Sequence, residues 1–197
     1  MIKYSNGLRY HKPKTKLSSN KVAFSFSSAN RGMNLEEDIN QSNEYYLRNK
    51  MALIYKRPTP IQVVKVDYGK GVKITEAYFS EKSTTDYNGV YQGRYVDIEA
   101  KSTQSKTSFP LSNITSKQFE HLNNVIKQGG LAFFIIEFVK HQKTYIVEAN
   151  KIIEFKETEE RKSIPFAQFE ELGREIKRGY SPRLDYLPFI DETHRNS

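Results

Sequence analysis

From Tyr95 to Lys101 the chain reads Tyr-Val-Asp-Ile-Glu-Ala-Lys, a strict alternation of side-chain character. Successive side chains of a strand point to opposite faces, so this pattern predicts a strand. Val96, Ile98 and Ala100 then face a core, and Tyr95, Asp97, Glu99 and Lys101 face the other way. The preceding stretch from Thr84 to Gly93 is polar and turn-rich, and its glycines allow the chain to fold back as a hairpin. That return brings Asp86 to the polar face that carries Glu99 and Lys101. Two carboxylates and a lysine on one patch suit metal-assisted phosphodiester hydrolysis. Carboxylate oxygens hold Mg²⁺ while leaving waters on the ion. The ion lowers the pKa of a bound water and neutralises phosphoryl charge, and a neighbouring lysine positions the water or stabilises the transition state. Glu-x-Lys also occurs at Glu154, Glu160 and Glu175, so the tripeptide alone distinguishes nothing. Strand context and Asp86 single out Glu99. A solvated strand face with a Glu–Lys pair is the competing reading, and these residues alone leave it open.

The charge balance narrows the partners. With 31 Lys and Arg against 23 Asp and Glu, the net charge of +8 favours polyanions, nucleic acid first and anionic membrane second. The absence of cysteine excludes disulfides and thiolate metal sites. A length of 197 residues suits one domain with a substantial core. No apolar run approaches membrane-spanning length, and no signal core opens the chain. A cytoplasmic protein without a membrane partner is expected.

Residues 1–33 contain seven lysines and arginines among serines and no acid, which predicts a basic, flexible arm. Asn34 is the expected N-cap of a first helix, with Glu36, Glu37 and Asp38 in its first turn and Leu35, Ile39 and Tyr46 on its apolar side. Glu36 either favours that helix N-terminus or looks across at Asp86 and Glu99. After strand-like Ala52–Tyr55, a basic Lys56-Arg57-Pro58-Thr59-Pro60 break leads into two β-rich runs, Ile61–Val66 and Val72–Phe79. This hairpin carries Arg57, Lys65, Lys70 and Lys73 and ends in Tyr78 and Phe79. It reads either as ordinary sheet strands or as a projection contacting phosphates and bases. A polar loop follows Lys101, and Thr115 with Gln118 forms a capping-box pair that opens a second helix. Gln118 either caps that helix or points at the acidic patch. Leu131–Phe138 is predicted as a buried central strand, Thr144–Val147 as its neighbour, and Pro165–Arg178 as a final amphipathic helix. The end of the chain reads as irregular. The order predicts an α/β or α+β domain with a mixed sheet.

A helix, a β-meander carrying Asp86 and Glu99-Ala100-Lys101, a helix and a buried strand together resemble the PD-(D/E)XK restriction-endonuclease-like core. Thr85 stands where a proline usually precedes the first acid. Narrower stretches are Asn30-Arg31-Gly32-Met33, Tyr45-Tyr46-Leu47, Lys56-Arg57-Pro58-Thr59-Pro60, Glu76-Ala77-Tyr78-Phe79, Ser83 to Gly89, Lys106 to Leu111 and Gly179 to Tyr186. In this order they are similar to RecU-type Holliday junction resolvases.

The resemblance implies a central mixed sheet flanked by helices and a projecting β-hairpin stalk at about 57–79. It implies an arm at 1–33, a nuclease domain at 34–190 and a polar tail at 191–197. The metal site falls on Thr84, Asp86, Glu99 and Gln118, and the transition-state stabiliser on Lys101. Related archaeal resolvases keep a glutamate four residues after a glycine on the first helix, which falls on Glu36. Arg31 matches an arginine associated with DNA handling, and Arg57, Lys65, Lys70, Lys73, Tyr78 and Phe79 lie in the stalk segment. The implied activity is Mg²⁺-dependent, symmetric resolution of four-way junctions in recombination and repair, with Mn²⁺ able to substitute. The implied partners are junction DNA, a second copy in a homodimer, and recombinase and branch-migration proteins. Alternatives are a non-catalytic junction-binding regulator of recombination and a restriction-type DNA endonuclease.

Overall fold

The computed structural model describes residues 29–69, 71–79 and 84–196, without the side chains of residues 29–34, 79 and 196. In chain order the elements are α1 (Ala29–Arg48), β1 (Leu53–Lys56), β2 (Ile61–Asp67), β3 (Lys73–Phe79), β4 (Tyr87–Tyr91), β5 (Arg94–Thr103) and β6 (Ser108–Pro110). Then come α2 (Ser116–Lys127), β7 (Leu131–Phe138), β8 (Lys143–Glu148), α3 (Ala149–Thr158), β9 (Ser163–Pro165), α4 (Phe169–Leu172), β10 (Gly173–Ile176) and α5 (Leu187–Asn196). Six strands form one sheet in the order β1-β4-β5-β7-β8-β10. Only its β5–β7 pair is parallel, so the sheet is mixed, as expected.

Helices cover both faces of this sheet. Leu35, Ile39 and Tyr46 of α1 and Leu187 and Ile190 of α5 pack on the Val96, Ile98, Phe133 and Ile135 side. Phe119 and Leu122 of α2 and Ile152 and Phe155 of α3 pack on the Phe134, Ile136 and Phe138 side. β7 is therefore buried at all eight residues, which explains its run of apolar side chains. Gly89 permits the closest approach in the sheet, because a Cβ there would lie 1.9 Å from the Leu53 carbonyl oxygen.

Among the described residues β2 and β3 pair only with each other, as a separate two-stranded sheet. Ile61, Val63, Val64, Ile74 and Tyr78 on this hairpin are exposed, so it is a projection and not part of the core. Among the described residues no helix is long and apolar enough to cross a membrane.

Four expectations need correction. The first helix begins at Ala29, so Asn34 lies inside it and no acid occupies its first turn. Ala29, Arg31 and Met33 favour helix, and no proline interrupts them; residues 1–28 of the expected arm lie outside the described residues. The expected helix at Pro165–Arg178 is instead a short strand, a helical turn and β10. Gly173 is the reason: it is extended, and a Cβ on it would meet the Ile146 carbonyl oxygen at 2.2 Å, so the chain pairs with β8. Helix α3 was not anticipated, although Ile152 and Phe155 have helical spacing. The C-terminal stretch is helix α5, with Pro188 in its first turn, where its missing N–H costs nothing. Arg178, just past β10, reaches Asp38 of α1 and Glu137 of β7, both at 2.6 Å, and so ties three elements together.

Candidate active site

The ladder between β4 and β5 runs from Tyr91–Arg94 to Tyr87–Ile98 and then ends. β5 continues, paired on its other side with β7 but without β4, and Asp86, immediately before β4, takes over the role of the missing strand. Its carboxylate accepts the Ala100 backbone N–H at 2.9 Å. A side chain replaces a strand carbonyl here, which fixes the first acid beside the second.

Glu99 is fully buried. Its Oε1 accepts Lys101 Nζ at 2.6 Å and also the Gln118 side-chain amide. Its Oε2 is buried without a hydrogen-bond partner. Burial, and then the Asp86 charge, push the Glu99 carboxyl up to about 7 against the pull of Lys101. Burial also raises Asp86, against the Ala100 N–H bond and Lys101.

Gln118 does both things the sequence left open. The Thr115 hydroxyl accepts the Gln118 backbone N–H, and Gln118 Oε1 accepts the Thr115 N–H at 3.0 Å, completing the capping box. The same amide turns its nitrogen to Glu99. Glu36 reaches the site from α1. Its charge is felt at Asp86, its side chain pairs with Lys56, and its backbone carbonyl accepts Tyr87 OH at 3.1 Å. A cavity of about 350 Å³ opens beside Glu36, lined by Leu35, Glu36, Ala100, Lys101, Ser102 and Asn113.

The polar face of β5 is exposed at Tyr95 but buried at Asp97 and Glu99, contrary to the simpler sequence reading. Helix α2 and its cluster cover the sheet on that side, and Asp97 is as buried as Glu99. Alternation reports which residues share a face but not whether a second layer lies over it.

The remaining candidates scatter. Thr84 is exposed in the bend before Asp86, and the buried neighbour Thr85 is the residue that reaches inward, donating its hydroxyl to Asp97. Arg57 sits at the hairpin base with its guanidinium 2.6 Å from Asp97. Lys65, Lys73 and Tyr78 are exposed on the hairpin. Lys70 and the side chains of Phe79 and Arg31 lie outside the described residues; the backbone of Arg31 is in the first turn of α1. Sequence alone places Asp97 and Thr85 but assigns neither of them, nor His121, a role in the site. The available signal was the position of His121 one helical turn after Gln118, facing the same strand.

Among the described residues no three His, Asp or Glu side chains form a ready-made metal cage. The donors still fit Mg²⁺, which commonly takes one or two carboxylates and keeps several waters. Asp86 and Glu99 supply those carboxylates, and Glu99 Oε2 is a buried oxygen with no hydrogen-bond partner among the described residues.

Comparison with known proteins shows the family. Residues 30–192 match the family described as Recombination protein U, RecU. The chain is 48% identical to a Holliday junction resolvase RecU of Bacillus licheniformis, covering 98% of each chain. It is 45% identical to the Bacillus subtilis protein of the same description, over 98% of this chain and 96% of that one. A structure of Archaeoglobus fulgidus Hjc, a Holliday junction resolvase, aligns with a TM-score of 0.43 at 15% identity, over 73% of this chain and 94% of that one.

Proposed function

The chain belongs to the RecU family, and from that premise we propose that it is an endonuclease that resolves Holliday junctions by Mg²⁺-dependent hydrolysis of phosphodiester bonds. The observation that carries the reading is the set of Asp86, bonded to the Ala100 N–H, and buried Glu99, ion-paired with Lys101, beside a cavity lined by Glu36, Ala100 and Lys101.

Asp86 and Glu99 would hold the ion, with Thr84 at the mouth of the same bend and Gln118 steering Glu99. Bound there, Mg²⁺ supplies a water of lowered pKa and neutralises phosphoryl charge. Lys101 places its ammonium where the phosphoryl oxygens gather negative charge in the transition state. Glu36 faces the site from α1 and is positioned to hold a water, with Lys56 balancing its charge. Mn²⁺, another ion suited to oxygen ligands, is expected to substitute.

The exposed hairpin with Lys65, Lys73 and Tyr78 contacts the junction, its lysines neutralising phosphates and its aromatic ring meeting unstacked bases. Recognition is then of shape and backbone more than of sequence. A homodimer would match the two-fold symmetry of a four-way junction and place one site at each of two like strands. Leu53, Val90 and Tyr95 are directly cross-paired on β1, β4 and β5 and are 49%, 46% and 38% exposed, an apolar row suited to that contact.

The test is competition. A labelled four-way junction is offered with Mg²⁺ in the presence of excess linear duplex of identical sequence. A resolvase continues to nick the junction in paired, symmetric positions. Equal loss to the duplex would instead indicate a restriction-type enzyme.

A further inference from the structure

Asp97 lies two residues before Glu99 on β5, on the side covered by α2, and none of its surface is exposed. Burying an ionised carboxylate this deeply is costly unless its oxygens are occupied, and both oxygens of Asp97 are. Oδ1 accepts the Thr85 hydroxyl. Oδ2 accepts Arg57 Nη2 at 2.6 Å, Tyr95 OH at 2.8 Å and His121 Nε2 at 2.8 Å. An ionised carboxylate only accepts, so the imidazole nitrogen facing it carries a proton.

These partners come from different parts of the chain, and each adjoins an active-site element. Arg57 follows β1, where the chain enters the hairpin. Thr85 stands where the chain has left the hairpin, immediately before Asp86. Arg57 also donates its backbone N–H to the Asp86 carbonyl at 2.7 Å, joining the two legs. His121 is on α2, one turn after Gln118, which holds Glu99. One carboxylate therefore fastens both legs of the hairpin and the helix carrying Gln118 to the strand carrying Glu99.

We propose that Asp97 is a positioning residue for junction cleavage, holding the hairpin base and α2 in register with the Asp86–Glu99 site. The proposal rests on the resolvase reading above. Asp97 acts through Thr85, Arg57 and His121 and not by touching metal or DNA. Arg57 has its charge engaged within this network, so its main role is to orient the hairpin base.

The experiment compares the full-length protein with Asp97→Asn. It measures single-turnover junction cleavage, the Mg²⁺ midpoint for cleavage, junction affinity without metal, and the rise in Tm that Mg²⁺ alone produces. Groups that orient metal ligands typically contribute about 10–100-fold, and a rate loss of that size is expected. The Mg²⁺ midpoint should rise and the Mg²⁺-induced Tm rise should shrink. Junction affinity should stay within about twofold, since phosphate contacts elsewhere carry it. Adding Arg57→Gln to Asp97→Asn should cost little more, because both changes break one network.

Unchanged rate and Mg²⁺ midpoint would overturn the proposal. So would a loss of junction affinity as large as the loss of rate, which would place the defect in DNA binding and not in the metal site. Should Asp97→Asn lower the metal-free Tm severely, Thr85→Val carries the test. It removes the tie at the outgoing leg and keeps the Arg57–Asp97 pair. A slower rate with unchanged junction affinity supports the proposal, and an unchanged rate overturns it. Failure of the natural protein to cut junctions would count against the resolvase reading alone, because the Mg²⁺-induced Tm rise still reports on Asp97.

Discussion

Asp86 and Ala100 are joined by a hydrogen bond in which a side-chain carboxylate, 14 residues away in sequence, takes the backbone N–H left over where a strand ladder stops. The first acid of the site is thus also part of the sheet. Asp86→Ala should leave a half-buried N–H unpaired and cost about 1–3 kcal/mol of stability. Asp86→Asn keeps an oxygen acceptor and should unfold close to the natural protein. Denaturant titration of the two variants checks this. Equal stabilities would show that the bond contributes nothing.

Glu99 gives the site a pH dependence whose sign can be worked out. Its carboxyl titrates near about 7, above the ordinary value of 4.5, because burial and then the Asp86 charge disfavour ionisation. Between those values the folded protein binds more protons than the unfolded chain. Its contribution to stability is therefore complete below the ordinary value and is lost as pH rises through about 7. Metal-free protein should show a falling Tm from pH 5 to pH 8, about where this group titrates, and Glu99→Gln should flatten the fall. Binding of Mg²⁺ requires the proton to leave, so Mg²⁺ affinity should strengthen over the same window. Calorimetry at several pH values measures it.

Gln118 links helix capping to the acid. Gln118→Ala removes one half of the capping box and the amide that reaches Glu99. Its cost in stability should be about 1 kcal/mol or less, comparable to the loss of a cap. Cleavage should fall by about 10–100-fold, as when the partner of a metal ligand is removed. Thr115→Ala removes the cap alone and should cost about 1 kcal/mol with a much smaller loss of rate. A parallel loss of rate in the two variants would reduce Gln118 to a cap.

Lys65 and Lys73 stand exposed on the hairpin. Replacing either with alanine should weaken junction binding across sequences alike and lower the slope of log affinity against log salt by about 1. Titrations at several salt concentrations measure this slope. An unchanged slope would remove the hairpin from the DNA interface.

Strand β5 was legible because its alternation, the Asp86 return and Glu99-Ala100-Lys101 are all local. So were the capping box at Thr115 and the buried β7. What stayed hidden depends on distant contacts. Phe166, Phe169, Leu172 and Ile176 have helical spacing, but Gly173 lies against β8, and strand pairing overrides the period. Pro188 suggested irregular chain, yet it is in the first turn of α5, where proline is tolerated. Asp97 was seen as one more polar residue on an open face. Its importance emerges only when α2 closes over it and Arg57, Thr85 and His121 converge.

The most direct measurement is cleavage of a synthetic mobile four-way junction with Mg²⁺ by the natural protein, Asp86→Asn and Glu99→Gln, with junction affinity measured in parallel. The account predicts paired symmetric nicks from the natural protein, loss of cleavage in both variants, and junction binding retained in all three, because the basic surface drives binding. Tight binding without cleavage in any divalent metal, or cleavage that survives either substitution, would contradict it.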